Sequence, residues 1–246
     1  MARKPRSRPA TRSAANSAAS GPKSGPQSGP KSERERVIES FMNLLGNKPI
    51  EEIGFAEIAT GTGISLTQLR GIFGSKLAIL AGHIKEIDQH VLAAGGDAEI
   101  AEESPRERLF DVLMRRIELL EPRKAAVRSL MRSCRRNPGL AFALNGLAVR
   151  SQQWMLTAAD IDAAGPRGMA RAQGLALLFA SVLRTWVNDD DPGHARTMAA
   201  LDRALARGQR LSGFLDDLCR IPECIGRVRR RRRGDEDDLE AETVAV

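Results

Sequence analysis

The chain has 246 residues and a formal net charge of +7, with 28% charged and 42% hydrophobic residues, enough to bury a core of one or two domains. No apolar run approaches the ~20 residues of a membrane span, and the basic N-terminus lacks the apolar stretch of a secretory signal. A cytoplasmic location without membrane contact is expected, and Cys134, Cys219 and Cys224, odd in number and without zinc-ligand spacing, read as reduced thiols.

Residues 1–32 contain Arg3, Lys4, Arg6, Arg8, Arg12, Lys23 and Lys31 and no acid, so this segment accounts for the whole net charge. What remains is 31 of the 38 basic residues against 31 acidic ones. Basicity therefore says nothing about the folded body. The segment is rich in Ser, Pro, Gly and Ala, with the near-repeat GPKSGPQSGPKS. Such a composition cannot offset its ordering entropy, and a disordered basic tail is expected. It reads either as an arm that attracts phosphate or as a solubilising extension.

Ser32-Glu33-Arg34-Glu35 is a capping box that opens a helix with Val37, Phe41 and Leu44 on one face. Asn47-Lys48-Pro49 ends it. Residues 54–80, GFAEIATGTGISLTQLRGIFGSKLAIL, are the most informative stretch. Phe55, Ile58 and Ala59 form the apolar face of a short helix, and Gly63 supplies the freedom a tight turn needs. Ser65 is an N-cap for a second short helix. There Leu69, Ile72 and Phe73 point inward, while Leu66, Thr67, Gln68, Arg70 and Gly71 stay outside. A capped, exposed, polar first turn is what a helix-turn-helix offers to a DNA major groove. Ser75 caps a third helix whose first residue is Lys76. A lysine is electrostatically misplaced there unless an anion faces it, and a DNA phosphate would be that anion.

On Ile58-Ala59, Gly63-Ile64-Ser65, Leu69, Phe73, Ser75-Lys76 and Leu80, the stretch 34–92 resembles the tetracycline-repressor (TetR) family of transcriptional regulators. That family usually carries a Tyr, often on phosphate, directly after the residue matching Leu69. Here the position is Arg70 and the chain has no Tyr; a guanidinium can hold phosphate or guanine. The resemblance implies an all-α fold, a homodimer on a double-stranded DNA operator, and regulation, as a repressor, by a small-molecule effector. The expected DNA-binding set is Ser65, Leu66, Thr67, Gln68, Arg70, Gly71, Lys76 and Arg34.

Beyond this stretch everything between the tails reads as helix, about nine in all, and no alternating β-branched run appears. The helix from Ser75 carries Leu77, Leu80, Ile84, Ile87 and Val91 and stops at Gly95-Gly96. Ser104-Pro105-Arg106-Glu107 is a second capping box with proline at the first helical position. Leu109, Leu113, Ile117 and Leu120 follow. Pro122 is expected to open a helix with Val127, Leu130, Met131 and Cys134 inside. A helix over 138–158 bears Leu140, Leu144, Leu147 and Trp154.

Gly165-Pro166 begins a long helix to Val187, apolar nearly all round. Asp191-Pro192 caps a last one to Cys219 that includes Ala204, Gly208 and Leu211. These two are expected to form half of a four-helix bundle completed by a second subunit, with Ala204, Gly208 and Leu211 near the seam. Arg227 and Arg229 to Arg233, then Asp235, Glu236, Asp237, Asp238, Glu240 and Glu242, form a self-cancelling charge block. The expected organisation is a tail at 1–32, a helix-turn-helix domain at 33–80, a ligand-binding and dimerisation domain at 81–221, and a charged tail at 222–246.

No catalytic constellation, cofactor motif or metal site is expected. His83 and His90 stand too far apart to chelate one metal easily. Asp189, Asp190 and Asp191 read as a helix-ending loop and cap. The family resemblance places a small-molecule site in the helices behind the DNA-binding part. Met114, Met131, Phe142, Trp154, Met155, Phe179 and Trp186 are its candidate lining, which suits a small apolar or amphipathic effector. An alternative is a lipid- or isoprenoid-binding accessory protein that does not bind DNA. The segment from Trp186 to Asp190, continued by Thr197 to Arg203, is similar to the C-terminal region of a ubiquinone-biosynthesis family with this fold. Exposed Thr67, Gln68, Arg70 and Lys76, and a charge block where that family has a membrane-binding helix, favour the DNA-binding reading.

Overall fold

Local capping signals set three helix starts. Ser32, Ser65 and Ser104 each accept a hydrogen bond from the third residue of the helix they precede, and Glu35, Gln68 and Glu107 accept one from the serine amide. Each box satisfies two donors that a helix end would otherwise leave orphaned. The computed structural model describes residues 31–94 and 104–208. Within them lie α1 (Glu33–Asn47), α2 (Phe55–Thr62), α3 (Leu66–Ile72), α4 (Lys76–Ala93), α5 (Pro105–Leu120), α6 (Lys124–Arg136), α7 (Pro138–Ala158) and α8 (Gly165–Trp186). A ninth helix, α9, is described over 195–208. Among the described residues there is no strand, so the chain is all-α with the expected number of helices. Residues 1–30 of the basic tail, Gly95-Gly96, Leu211, Cys219, Cys224 and the charge block fall outside the described residues.

Two helix starts differ from expectation. Pro122 lies in a 3-10 turn, Glu121–Arg123, and α6 begins only at Lys124. Likewise α9 does not start at Asp191-Pro192. Asp191 accepts from the amides of Gly193 and Ala195, His194 takes a left-handed backbone (φ 52°), and the helix follows. Asp189 caps from farther back. Its carboxylate accepts from both the amide and the hydroxyl of Thr197, at 2.9 and 2.6 Å. The aspartate run thus does the capping expected of it, with Asp189 joining Asp191.

The apolar side chains form two clusters. One joins α1, α2, α3 and the start of α4 around Val37, Phe41, Leu45, Ile58, Leu69, Phe73 and Ile79, with Ala126 of α6 against it. The other runs from Ile87 and Val91 of α4 through α5, α7 and α8 to Leu201, Ala204 and Leu205 of α9. α4 enters both.

α6 packs on α1 by a face other than the expected one. Its buried residues are Ala126, Ser129 and Ser133, whereas Val127, Leu130, Met131 and Cys134 are half-buried flanks. Small side chains permit the close approach. The two hydroxyls are satisfied across it: Ser129 donates to the Lys48 carbonyl at 3.1 Å and Ser133 to the Glu51 carboxylate at 2.8 Å.

The interior also holds charge. Arg116 of α5 meets Asp88 of α4 at 2.8 Å, Ser151 of α7 joins both at 2.5 and 2.7 Å, and the Phe179 ring lies 5.5 Å from the guanidinium. The cluster ties four helices together at one point.

Candidate nucleic-acid interface

The turn between α2 and α3 begins with a left-handed residue. Gly63 has φ 71°, and the amides of Gly63 and Ile64 return to the carbonyls of Thr60 and Ala59 at 3.3 and 3.2 Å. This is a Schellman closure, which a side chain at position 63 would strain. Ser65 follows as N-cap and α3 starts at once.

Leu69 and Phe73 are buried beneath α3, and Ile72 is half-buried. Leu66, Thr67, Gln68, Arg70 and Gly71 are exposed, as their spacing predicts. Phe55, expected inward with Ile58 and Ala59, is instead 44% exposed. It is the first residue of α2, and that turn projects past the edge of the core.

The polar groups of this surface are partly engaged. The Gln68 side-chain oxygen accepts from the amide and hydroxyl of Ser65 at 2.8 and 2.9 Å, so reading a base with that oxygen requires opening the capping box. Arg70 donates to the Gly74 carbonyl at 2.7 Å, which folds its guanidinium over the turn leading to α4. Arg34, exposed at the start of α1, stacks 4.5 Å from the Phe73 ring. It thereby reaches from the first helix to the end of α3.

Lys76 has a different arrangement from the one expected. Its ammonium donates to the carbonyls of Ile50 at 2.7 Å and Ile53 at 3.1 Å. Those carbonyls belong to the 3-10 turn Ile50–Glu52 and its C-cap, between α1 and α2. The positive charge at the start of α4 is therefore answered inside the chain, and no outside anion is needed to explain it. Sequence reading also missed the Lys48–Glu57 pair at 2.6 Å, which joins the end of α1 to α2. Lys48 holds the Glu57 carboxyl below its ordinary range.

Five of the seven residues expected to line an effector site meet in the larger apolar cluster, and two stand apart from it. Met114, Met155, Phe179 and Trp186 are buried core and Met131 is half-buried, whereas Phe142 is 82% and Trp154 59% exposed. The Trp186 indole donates to Glu121 at 2.9 Å with Lys124 over its ring at 5.4 Å, a structural tie to the second 3-10 turn. Phe142 and Trp154 share with Gly146 and Arg150 the exposed stripe of α7, so their apolar type did not reveal their direction. A cavity of about 590 Å³ does lie in this half of the chain, between α5, α8 and α9, and none of the seven lines it.

His83 is half-buried, and its buried Nε2 has no partner among the described residues. Burial, then the charges of Arg123 and Arg116, push its pKa down to about 4. His90 lies at the surface with its ring on the Glu86 carbonyl. Among the described residues no group of three or more His, Cys, Asp or Glu side chains could hold a metal. None of the described helices is long and apolar enough to cross a membrane.

The fold has solved counterparts. A TetR transcriptional regulator from Nitrosomonas europaea ATCC 19718 superposes with a TM-score of 0.58 at 17% identity, over 73% of this chain and 99% of that one. A TetR transcriptional regulator from Rhodococcus sp. RHA1 superposes with a TM-score of 0.53 at 21% identity, over 72% and 95%. No family model and no curated protein matches the sequence. The chain has the fold of the TetR transcriptional regulators.

Proposed function

We propose that this chain is a ligand-responsive transcriptional regulator, a repressor that binds a palindromic DNA operator as a two-fold homodimer. The observation that carries the reading is α3. It is short, capped and solvent-facing along Leu66, Thr67, Arg70 and Gly71, and Leu69 and Phe73 anchor it from beneath. Residues 33–80 serve as the DNA-binding domain and 81–221 as the ligand-binding and dimerisation domain. Thr67 and Gln68 read base edges, with Ser65, Leu66 and Gly71 against the groove, and Arg34 and Arg70 hold phosphate. Lys76 serves this surface by holding the turn behind it.

The dimer reading gains support from α8. Ala170, Gly174, Leu177 and Ser181 form an exposed stripe at 4-3-4 spacing, with Leu177 61% exposed. On α9, Met198 and Ala199 are exposed too. Ala204 is buried within its own protomer and Gly208 faces Leu178, so the seam shifts from Ala204 and Gly208 to this outward stripe. A dimer matches a two-half-site operator, since one helix-turn-helix reads few base pairs.

The test is an electrophoretic shift with the DNA upstream of the chain's own gene, beside a liposome flotation assay. Thr67→Ala is expected to cost about 1–3 kcal/mol at one base pair and relax choice there. Liposome binding with no DNA shift would transfer the chain to the lipid-binding accessory reading.

A further inference from the structure

The wedge between α5, α8 and α9 forms a cavity of about 590 Å³ that is open to solvent, within the range of small-ligand sites. Its floor is Leu109, Leu156, Leu175 and Leu205, all buried in the larger apolar cluster. Its rim carries three guanidinium groups, those of Arg106, Arg171 and Arg207. Among the described residues Asp202 lies 2.6 Å from Arg106 and Asp162 3.9 Å from Arg171. Arg207 donates through Nε to the Arg203 carbonyl at 3.2 Å. The Arg106 Nε–H itself is buried without an acceptor among the described residues.

We propose that this cavity binds an anionic amphiphile, an unbranched aliphatic chain bearing one carboxylate-like head. The chain lies on the four leucines. The head meets the guanidinium rim, where Arg106, Arg171 and Arg207 can donate to it. Gly174 and Ser181 belong both to the cavity wall and to the exposed stripe of α8. A second copy seated on that stripe would border the mouth, and a ligand there would bias how two copies meet. This consequence for DNA binding rests on the proposed function; the binding itself does not.

The experiment is calorimetric titration of the full chain with decanoate, decylammonium and decanol, each below its micelle concentration. Saturable decanoate binding is expected, at one per chain, with decylammonium weaker by about tenfold or more. Arg207→Glu, on the exposed rim, is expected to reverse that order without altering the melting temperature. Ala204→Trp, which fills the floor, should abolish binding. Absence of saturable binding, equal binding of all three probes, or an unchanged order in Arg207→Glu overturns the proposal. So does an Ala204→Trp protein that keeps binding decanoate but changes its sedimentation, since the cavity would then belong to a contact between copies. A parallel DNA-shift titration separates the two readings. Decanoate binding without any effect on DNA leaves the site standing and counts against ligand-responsive regulation.

Discussion

Replacing Lys76 by Met removes the ammonium and keeps most of the stem. In the folded chain two carbonyls, those of Ile50 and Ile53, lose their charged donor. A hydrogen bond from a charged group contributes about 1.5–3 kcal/mol, and less where water competes, as at this half-exposed site. Two such bonds, discounted for water, give a loss of about 2 kcal/mol. For a chain of this size that is a fall in melting temperature of about 4–8 °C. For the proposed DNA binding, the consequence follows from the same geometry. The turn Ile50–Glu52 and the start of α4 loosen, so affinity falls for every sequence, but no phosphate contact is lost. The slope of log K against log salt therefore stays as in the wild type. A lysine that held a phosphate would behave otherwise, with normal melting and a slope reduced by about 1. Thermal melts by circular dichroism and fluorescence anisotropy across a salt series measure both quantities. Normal melting with a flattened slope would refute the carbonyl assignment.

Three further outcomes follow from buried or strained groups. Asp88→Ala leaves Arg116 charged and unpaired inside the core, an expected loss of about 3–5 kcal/mol in urea unfolding, and a loss under 1 kcal/mol would mean that water reaches the cluster. Gly63→Ala forces a side chain into a left-handed turn, so it should cost about 1–2 kcal/mol and weaken DNA binding by displacing α3, whereas an unchanged protein would exclude that turn geometry. His83 has a folded pKa of about 4 against an ordinary 6.5. Between those values the unfolded chain binds more protons, so stability falls as pH drops through that window, by about 2 kcal/mol at pH 5. His83→Leu should remove this acid limb, and a limb that persists in the variant belongs to other groups.

Leu177→Glu puts a charge in the outward stripe of α8 and should shift sedimentation from dimer to monomer while helix content stays the same. A wild type that sediments as a monomer at micromolar concentration rules the interface out.

What the sequence determined by itself is what is decided within one or two helical turns. The serine boxes at Ser32, Ser65 and Ser104 link residues three apart, and Gly63 closes α2 through carbonyls three and four residues back. These bonds form wherever the segment forms, so these three helix starts and the exposed face of α3 could be read directly. What only the tertiary structure decided depends on groups distant in the chain. Lys76 finds carbonyls 26 and 23 residues away, and Ser151 finds Asp88 across 63. No local pattern encodes such pairs. The same holds for packing direction. Trp154 and Trp186 are both aromatic residues near helix ends, yet one is 59% exposed and the other fully buried. Side-chain type gives the free energy available from burial, but the neighbouring helices determine which face is buried, and a close approach such as that of α6 on α1 favours alanine and serine over the larger residues beside them.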